Sequence, residues 1–559
     1  MHFQDEKEAG RYAILRRREE EELAQVLSSK YGIDYVDLTL VAINADALRL
    51  IPDAEARAAQ IAAFGRVGKH LSVAARLPEL PATKIVLQKL TDLGYEIKLF
   101  LVSEASLKRA WERYADLSYA KSSRAGIFDI SGEDIELLLA EVTDTEKIGK
   151  LVTESINLKT AYRITRILQV ILAGGFATGA SDIHFEPEEK TVRLRYRLDG
   201  VLTDVLQFDQ DTYRLLLSRL KLLSGLKLNL TEEAQDGRFS IKLKGADIEI
   251  RSSVLPDAYG ETLVMRLLNP TEISVPLEEL GMEEKLRLKI EREIARPNGM
   301  ILNTGPTGSG KTTTLYAFLR KINSPDSKII TIEDPIEYHL QGIVQTQVEN
   351  EKKYTFATGL RSALRQDPDI IMVGEIRDEE VATTAINAAL TGHLVFSTLH
   401  TNDAAGTFPR LIDLGVSEKV LSSAVNVAMA QRLVRVLCPA CKTKRPATQD
   451  EQKIIDHYLG GIVDQALVPP NKTEVFEPSA TGCPKCGGRG YKGRIGIFEA
   501  IFMDSNIEEV LRTKPSEREI FSMARAQGIP SMVEDGILKI LKGVTSFEEL
   551  RRVVDIEER

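Results

Sequence analysis

The sequence predicts a multidomain α/β protein, on three observations. Its 559 residues are several times the size of one folding unit, so roughly three to five domains are expected. From about Gly299, continuous apolar runs (MILNTG, KIITIED, DIIMVGE, HLVFSTLH) alternate with helical patterns, as strands buried on both faces of a parallel sheet do. Before them, TVRLRYRLDG, GRFSIKL, ADIEIRSSVL and ETLVMRLLN alternate with a period of two, the mark of a half-exposed sheet.

Taken in order, residues 1–120 mix short helical stretches with β-like runs, HLSVAA and YEIKLFLVS, and form a small N-terminal α/β module. A polar, acidic segment follows and is assigned to a linker at 121–150. The half-exposed sheet, with LLLSRLKLLSGL as a helix, makes a domain over 151–275. The buried-strand pattern gives a third domain over 276–430, a cysteine-bearing domain spans 431–500, and charged helices fill 501–559.

With 43% hydrophobic and 28% charged residues the chain is ordinary globular material. A net charge of -9 does not suggest a nucleic-acid partner, and no basic, aromatic-rich stripe is present. The chain has no apolar run of about 18 residues, and its first residues are charged where a signal peptide carries an apolar stretch. A cytoplasmic protein without a transmembrane segment is expected, reaching a membrane only through partners.

The chemistry concentrates at Gly305-Pro306-Thr307-Gly308-Ser309-Gly310-Lys311-Thr312, followed by Thr313, between a strand pattern and a helix pattern. The spacing G-x-x-x-x-G-K-[ST] lets backbone N–H groups turn inward around phosphates at a helix N-terminus. Lys311 is placed to reach the β- and γ-phosphates of ATP, and the Thr312 hydroxyl to ligate Mg²⁺. Such sites also need acids on neighbouring strand ends, to hold the metal and orient the attacking water. IITIEDPIEYH supplies Glu333, Asp334 and Glu337, and DIIMVGEIRD supplies Glu375, a second candidate Mg²⁺ ligand. His393 and His400 flank one apolar strand in a chain with only seven histidines, which suggests phosphate sensing or strand-end positioning. No arginine is evident beside the phosphate loop on its own strands.

All four cysteines form two CxxC pairs, Cys438/Cys441 and Cys483/Cys486. In a reducing compartment that favours one tetrahedral Zn²⁺ over disulfides or a dithiol switch. The roughly 41 residues between the pairs exceed the 15–20 of a compact ribbon, so the site closes a long excursion. Four thiolates leave no open position for water, which makes the metal structural.

Together, ASDIHFEP, QDGR, GPTGSGKTTTLY, ITIEDPIEY, LRQDPDIIMVGEIRD, TGHLVFSTLHTNDA and the paired cysteine motifs resemble the secretion-superfamily ATPases of type II secretion and type IV pilus extension. The resemblance covers roughly 150–500 and implies a RecA-like P-loop motor domain, a PAS-like α+β domain before it and an N-terminal adaptor domain. It assigns Lys311 and Thr312 to Walker A, Glu333, Asp334 and Glu337 to an aspartate box, Glu375 to Walker B, and His393 and His400 to a histidine box. It also assigns phosphate-contacting arginines to the motifs holding Arg251 and Arg266. Arg361 and Arg365, spaced i, i+4, would share a helical face and could reach the same site. The implied assembly is a homohexamer at the inner face of the cytoplasmic membrane, joined to a platform or secretion-system protein through the N-terminal domain. The implied function is Mg-ATP hydrolysis that powers pilin or pseudopilin assembly. A pilus-retraction ATPase and a nucleotide-gated scaffold without turnover are the alternatives. The chain departs from the family in reading LNLTEEA before QDGR where a basic-plus-proline run is usual, and it lacks the glycine-rich repeats some relatives use for cyclic di-GMP.

Overall fold

The computed structural model describes residues 20–38, 41, 43, 45–48, 50–67, 70–117, 132–142, 144–158, 163–243, 246–269, 274–349, 353–512 and 515–556. It divides into two compact units, Met1–Asp129 and Ile130–Arg559.

The first unit holds a four-stranded sheet, β1 (Asp34–Tyr35), β2 (Ile61–Val67), β3 (His70–Ala75) and β4 (Glu96–Leu101), in the order β1-β4-β3-β2. The two β-like runs are therefore β3 and β4, parallel and joined by the helix Pro81–Asp92. The helix Glu104–Leu117 closes the core, with the Trp111 indole donating to the Ile61 carbonyl at 3.1 Å and the Tyr114 hydroxyl to that of Ile51 at 2.8 Å.

The second unit begins with a correction to the linker expected at 121–150. Residues 118–131 lie outside the described residues, but Gly132–Glu141 and Thr145–Ile156 are helices. They bury Ile135, Leu138, Ile148 and Val152 and pack on the helix Arg163–Thr178. Several of their acidic residues sit at helix starts: the Asp144 side chain accepts from the Lys147 N–H at 2.8 Å and Glu146 lies in the first turn, where acids complement the helix dipole.

Next comes an antiparallel sheet of β5 (Ala180–Pro187), β6 (Thr191–Leu198), β7 (Val201–Asp209), β8 (Gln235–Leu243), β9 (Ala246–Asp257) and β10 (Gly260–Leu268), ordered β7-β6-β5-β10-β9-β8. Strict alternation sends Val192, Leu194, Tyr196 and Leu198 of β6 inward and Arg193, Arg195 and Arg197 to the opposite face. The helices Arg163–Thr178 and Gln210–Leu223 pack on this sheet.

The motor sheet has seven strands: β11 (Gly299–Thr304), β12 (Ile329–Glu333), β13 (Val344–Gln347), β14 (Ile370–Val373), β15 (Leu394–Leu399), β16 (Val425–Leu437) and β19 (Tyr491–Phe502), in the order β13-β12-β14-β15-β11-β16-β19. All neighbours run parallel except β16 and β19. Strands β11, β12, β14 and β15 are buried throughout, as their continuous apolar runs require.

The limits 431–500 for the cysteine region also need correction, because both fall inside strands of this sheet. The excursion proper lies between β16 and β19 and carries the antiparallel pair β17 (Thr443–Pro446) and β18 (Glu474–Glu477), with the helix Gln449–Gly460 between them in the chain. Ile537, Ile540 and Leu550 of the C-terminal helices join the same hydrophobic core as the motor strands.

Candidate active site

A cleft of about 920 Å³ opens between the C-terminal ends of the motor strands and the polar face of the β5–β10 sheet. Parallel α/β sheets place ligands outside the carboxyl ends of their strands.

On the motor side, β11 ends in the turn Gly305–Gly310 and enters the helix Lys311–Ile322. Gly310 holds φ +90°, open to glycine at low cost, and a Cβ on Gly305 would lie 2.6 Å from the Gln431 carbonyl. The turn thus rests directly on β16. Beneath it the buried Gln431 amide oxygen accepts from Asn303 Nδ2 at 2.9 Å and from Thr314 Oγ1 at 2.8 Å. Lys311 donates to the carbonyls of Gly305 at 2.7 Å and Pro306 at 3.1 Å, and burial lowers its pKa. Pro306, Thr307, Gly308, Ser309, Thr312 and Thr313 all line the cleft.

The acids separate into two kinds. Glu375, just past β14, faces His400 Nε2 at 3.2 Å and pairs with Arg377. Glu333, at the end of β12, is 2% exposed and accepts from Thr331 Oγ1 at 2.5 Å, Gln345 Nε2 at 3.0 Å and the Tyr316 hydroxyl. Burial raises its pKa despite these donors. Glu333, Asp334 and Glu337 all line the cleft.

The facing sheet supplies Asp182 of β5, 4% exposed, which pairs with Arg266 of β10 at 3.0 Å and with Arg197 of β6 at 3.4 Å. Arg251 of β9 donates to the Ile336 carbonyl at 2.5 Å and pairs with Glu337 at 3.4 Å, fastening this sheet to the acidic loop after β12.

Other expected residues lie elsewhere. His393 sits at the opposite end of β15 from His400, its Nδ1 3.0 Å from the Ala388 carbonyl, and does not line the cleft. Arg361 pairs with Glu380 and Arg365 bonds Ser362 at 3.1 Å, both exposed and away from the cleft of their own chain. Conversely, Arg377 and Arg432 both line the cleft, and Arg432 stands against the phosphate loop, where the sequence offers no arginine on the loop's own strands. A Cβ on Gly305 would lie 2.9 Å from Arg432 Nη1, and that side chain donates to the Asn402 carbonyl at 2.7 Å. Arg377 sits two positions after Glu375 in GEIRD, a legible signal. Arg432 arrives from a strand far away in sequence, with no such signal.

The four cysteine sulfurs lie within 4.8 Å of one another, with Cys438–Cys483 at 3.7 Å and Cys441–Cys486 at 3.8 Å. A tetrahedron with Zn–S of about 2.3 Å has edges near 3.8 Å, whereas a disulfide needs about 2.05 Å. The cluster is therefore compatible with Zn²⁺. The N–H groups of Cys483 at 3.2 Å and Gly490 at 3.3 Å point at the Cys486 sulfur, an arrangement that suits a metal-ligating thiolate.

Comparison with known proteins shows the family. The profile of the family described as "Type II/IV secretion system protein" matches residues 157–552, and that of the MshEN domain matches residues 31–120. A type IV pilus assembly ATPase PilB of Myxococcus xanthus is 38% identical over 95% of this chain and 91% of its own. A type II secretion system protein E of Pseudomonas aeruginosa is 45% identical over 76% of this chain and 81% of its own. One from Dickeya dadantii is 38% identical over 92% and 99%. In fold alone, the crystal structure of the Yersinia pseudotuberculosis ATPase DotB aligns with a TM-score of 0.50 at 21% identity, covering 69% of this chain and 92% of its own.

Proposed function

Because the chain belongs to the type II/IV secretion system protein family of ATPases, we propose that its cleft hydrolyses Mg-ATP to drive assembly of pilin-like subunits, in type IV pilus formation or type II secretion. The observation that carries the reading is the facing of Lys311 and Thr312 by Glu375 and His400, under a sheet that presents Arg197 and Arg266. Backbone N–H groups of 307–311 would cradle the phosphates and Lys311 would bind the β- and γ-phosphates. Thr312 and Glu375 would hold Mg²⁺, which supplies charge neutralisation on the transferring phosphoryl group. Glu375, oriented by His400, would position the attacking water, and Arg266 would meet charge that grows on the γ-phosphate.

Relatives from both pathways match over nearly the whole length, so the proposal takes the chemistry they share. A homohexamer is part of this reading, and in it Arg361 and Arg365, exposed on their own subunit, are assigned to a neighbour's cleft. Among the described residues no helix is long and apolar enough to cross a membrane. Docking to an inner-membrane platform protein is assigned to the first unit. The cysteine cluster is assigned to structural Zn²⁺, and the domain order of adaptor, PAS-like sheet and RecA-like motor follows the same family.

The test is a host strain lacking this chain, complemented with the wild type or with Glu375→Gln and scored for surface pili and secreted protein. Only the wild type should restore whichever output is lost. Equal rescue by both would refute hydrolysis-driven assembly.

A further inference from the structure

The hairpin between β6 and β7 turns at Asp199 and Gly200, with Asp199 in the left-handed region at φ +50°. Asn would serve such a turn equally well, so the turn itself does not need a carboxylate. Its oxygens are engaged outside the hairpin. One accepts from Arg489 Nη1 at 2.7 Å, the other from the Gly493 N–H at 3.1 Å. The pair is shielded, with side chains 24% and 16% exposed.

Both partners come from the short stretch between the second cysteine pair and the body of β19. Arg489 also donates Nε–H to the Cys486 carbonyl at 3.2 Å. This stretch contains Gly487, Gly488, Gly490 and Gly493, so its own backbone preference fixes little. What shapes it is the thiolate cluster at one end and the β16–β19 pairing at the other. On the other side of the turn, Arg197 donates to the Gly200 carbonyl at 3.2 Å and meets Asp182, which also receives Arg266. A run of contacts thus leads from Cys486 through Arg489, the Asp199–Gly200 turn and Arg197 to Asp182 and Arg266.

We propose that Asp199 is a positioning residue, a latch through which the four-cysteine cluster holds the Arg197–Asp182–Arg266 wall over the phosphate loop. Emptying the cluster releases Arg489, frees the hairpin and withdraws the arginines from the nucleotide. The inference rests on reading the cleft as the ATP site and the cluster as a zinc site.

The experiment uses the full chain, metal-loaded or stripped with a chelator that is removed before Mg²⁺ is added, as wild type, Asp199→Asn, Arg489→Gln and the double variant. Steady-state ATP hydrolysis, hydrogen exchange across 191–209 and zinc content are measured on each. Each single substitution should lower kcat about tenfold, the scale of a shielded charged hydrogen bond. KM should stay within about twofold, zinc content should not change, and hairpin exchange should rise. Metal removal should reproduce these changes in the wild type and add nothing in the variants. Should the stripped chain unfold, the metal-loaded double variant decides: a loss no greater than either single supports the latch, and multiplied losses overturn it. Unchanged hairpin exchange in the metal-loaded single variants also overturns it. A metal-loaded wild type that neither binds nor hydrolyses ATP would instead overturn the assignment of the cleft.

Discussion

The cleft has two walls built on different principles. The motor wall is made of backbone: a loop entering a helix, fixed from below by the buried Gln431 amide, with Glu375 at the end of a fully buried strand. The facing wall is made of side chains on the polar face of an antiparallel sheet, held by one buried carboxylate, Asp182, between Arg197 and Arg266. The first is preorganised for binding, because fixed dipoles need no rearrangement when phosphates arrive. The second is held in place by side-chain contacts, Arg251 to the loop after β12 among them, so its charges depend on those contacts for their position over the phosphate loop.

The largest effects should separate the walls outright. Lys311→Ala removes the cation at the centre of the loop and should abolish detectable binding of a fluorescent ATP analogue. Glu375→Gln should leave binding within about threefold yet lower hydrolysis by at least about 100-fold, since water positioning is lost and phosphate contacts stay. Turnover at the parental rate in Glu375→Gln would make the distinction between binding and chemistry wrong. On the opposite wall, Arg266→Ala should reduce kcat roughly 10- to 100-fold with little change in nucleotide affinity. A matching loss in affinity would mean that this wall is as fixed as the first.

The same contrast explains what could be read from the sequence. The phosphate loop is consecutive in the chain, so its spacing carried its geometry, and Glu375 followed from a strand end. Asp182, Arg197 and Arg266 come from β5, β6 and β10, and their meeting depends on the register that sets Arg266 opposite Asp182. Alternation showed which face of β6 is polar, not what that face opposes. His393 and His400 looked equivalent as flanks of one strand. Yet a strand of that length spans about 20 Å, so only the histidine at the carboxyl end reaches the cleft. The acid-rich stretch after residue 131 read as a linker because helix-start acids and solvated linker acids share one composition.

A smaller effect tests what joins the walls. Elemental analysis of protein purified without chelator should find one zinc per chain. Cys483→Ser should abolish it and lower the melting temperature by roughly 5 °C or more, because a metal-closed site contributes folding free energy directly. Full stability with four freely titrating thiols would leave the segment after Cys486 without its anchor.

The smallest effect concerns Glu333, which lines the motor wall yet is 2% exposed, its carboxylate engaged by neighbouring side chains. Burial raises its pKa above the usual glutamate value while Thr331, Gln345 and Tyr316 donate to it. The folded chain therefore binds this proton more tightly than the unfolded chain does. Between the two pKa values the native state carries more protons, so stability should fall as pH rises through that window. Glu333→Gln cannot titrate, and its contribution to that slope disappears. The variant places an amide N–H₂ among hydrogen-bond donors, at a cost of about 1–3 kcal/mol, and this deficit relative to the parent should be greatest at low pH. It should shrink as the parent ionises, a trend readable from urea unfolding between pH 4 and about 7. Hydrolysis should fall less than about tenfold, far short of Glu375→Gln. A pH-independent stability difference, or hydrolysis lost as completely as at Glu375, would show that Glu333 takes part in the chemistry and does not only brace the wall.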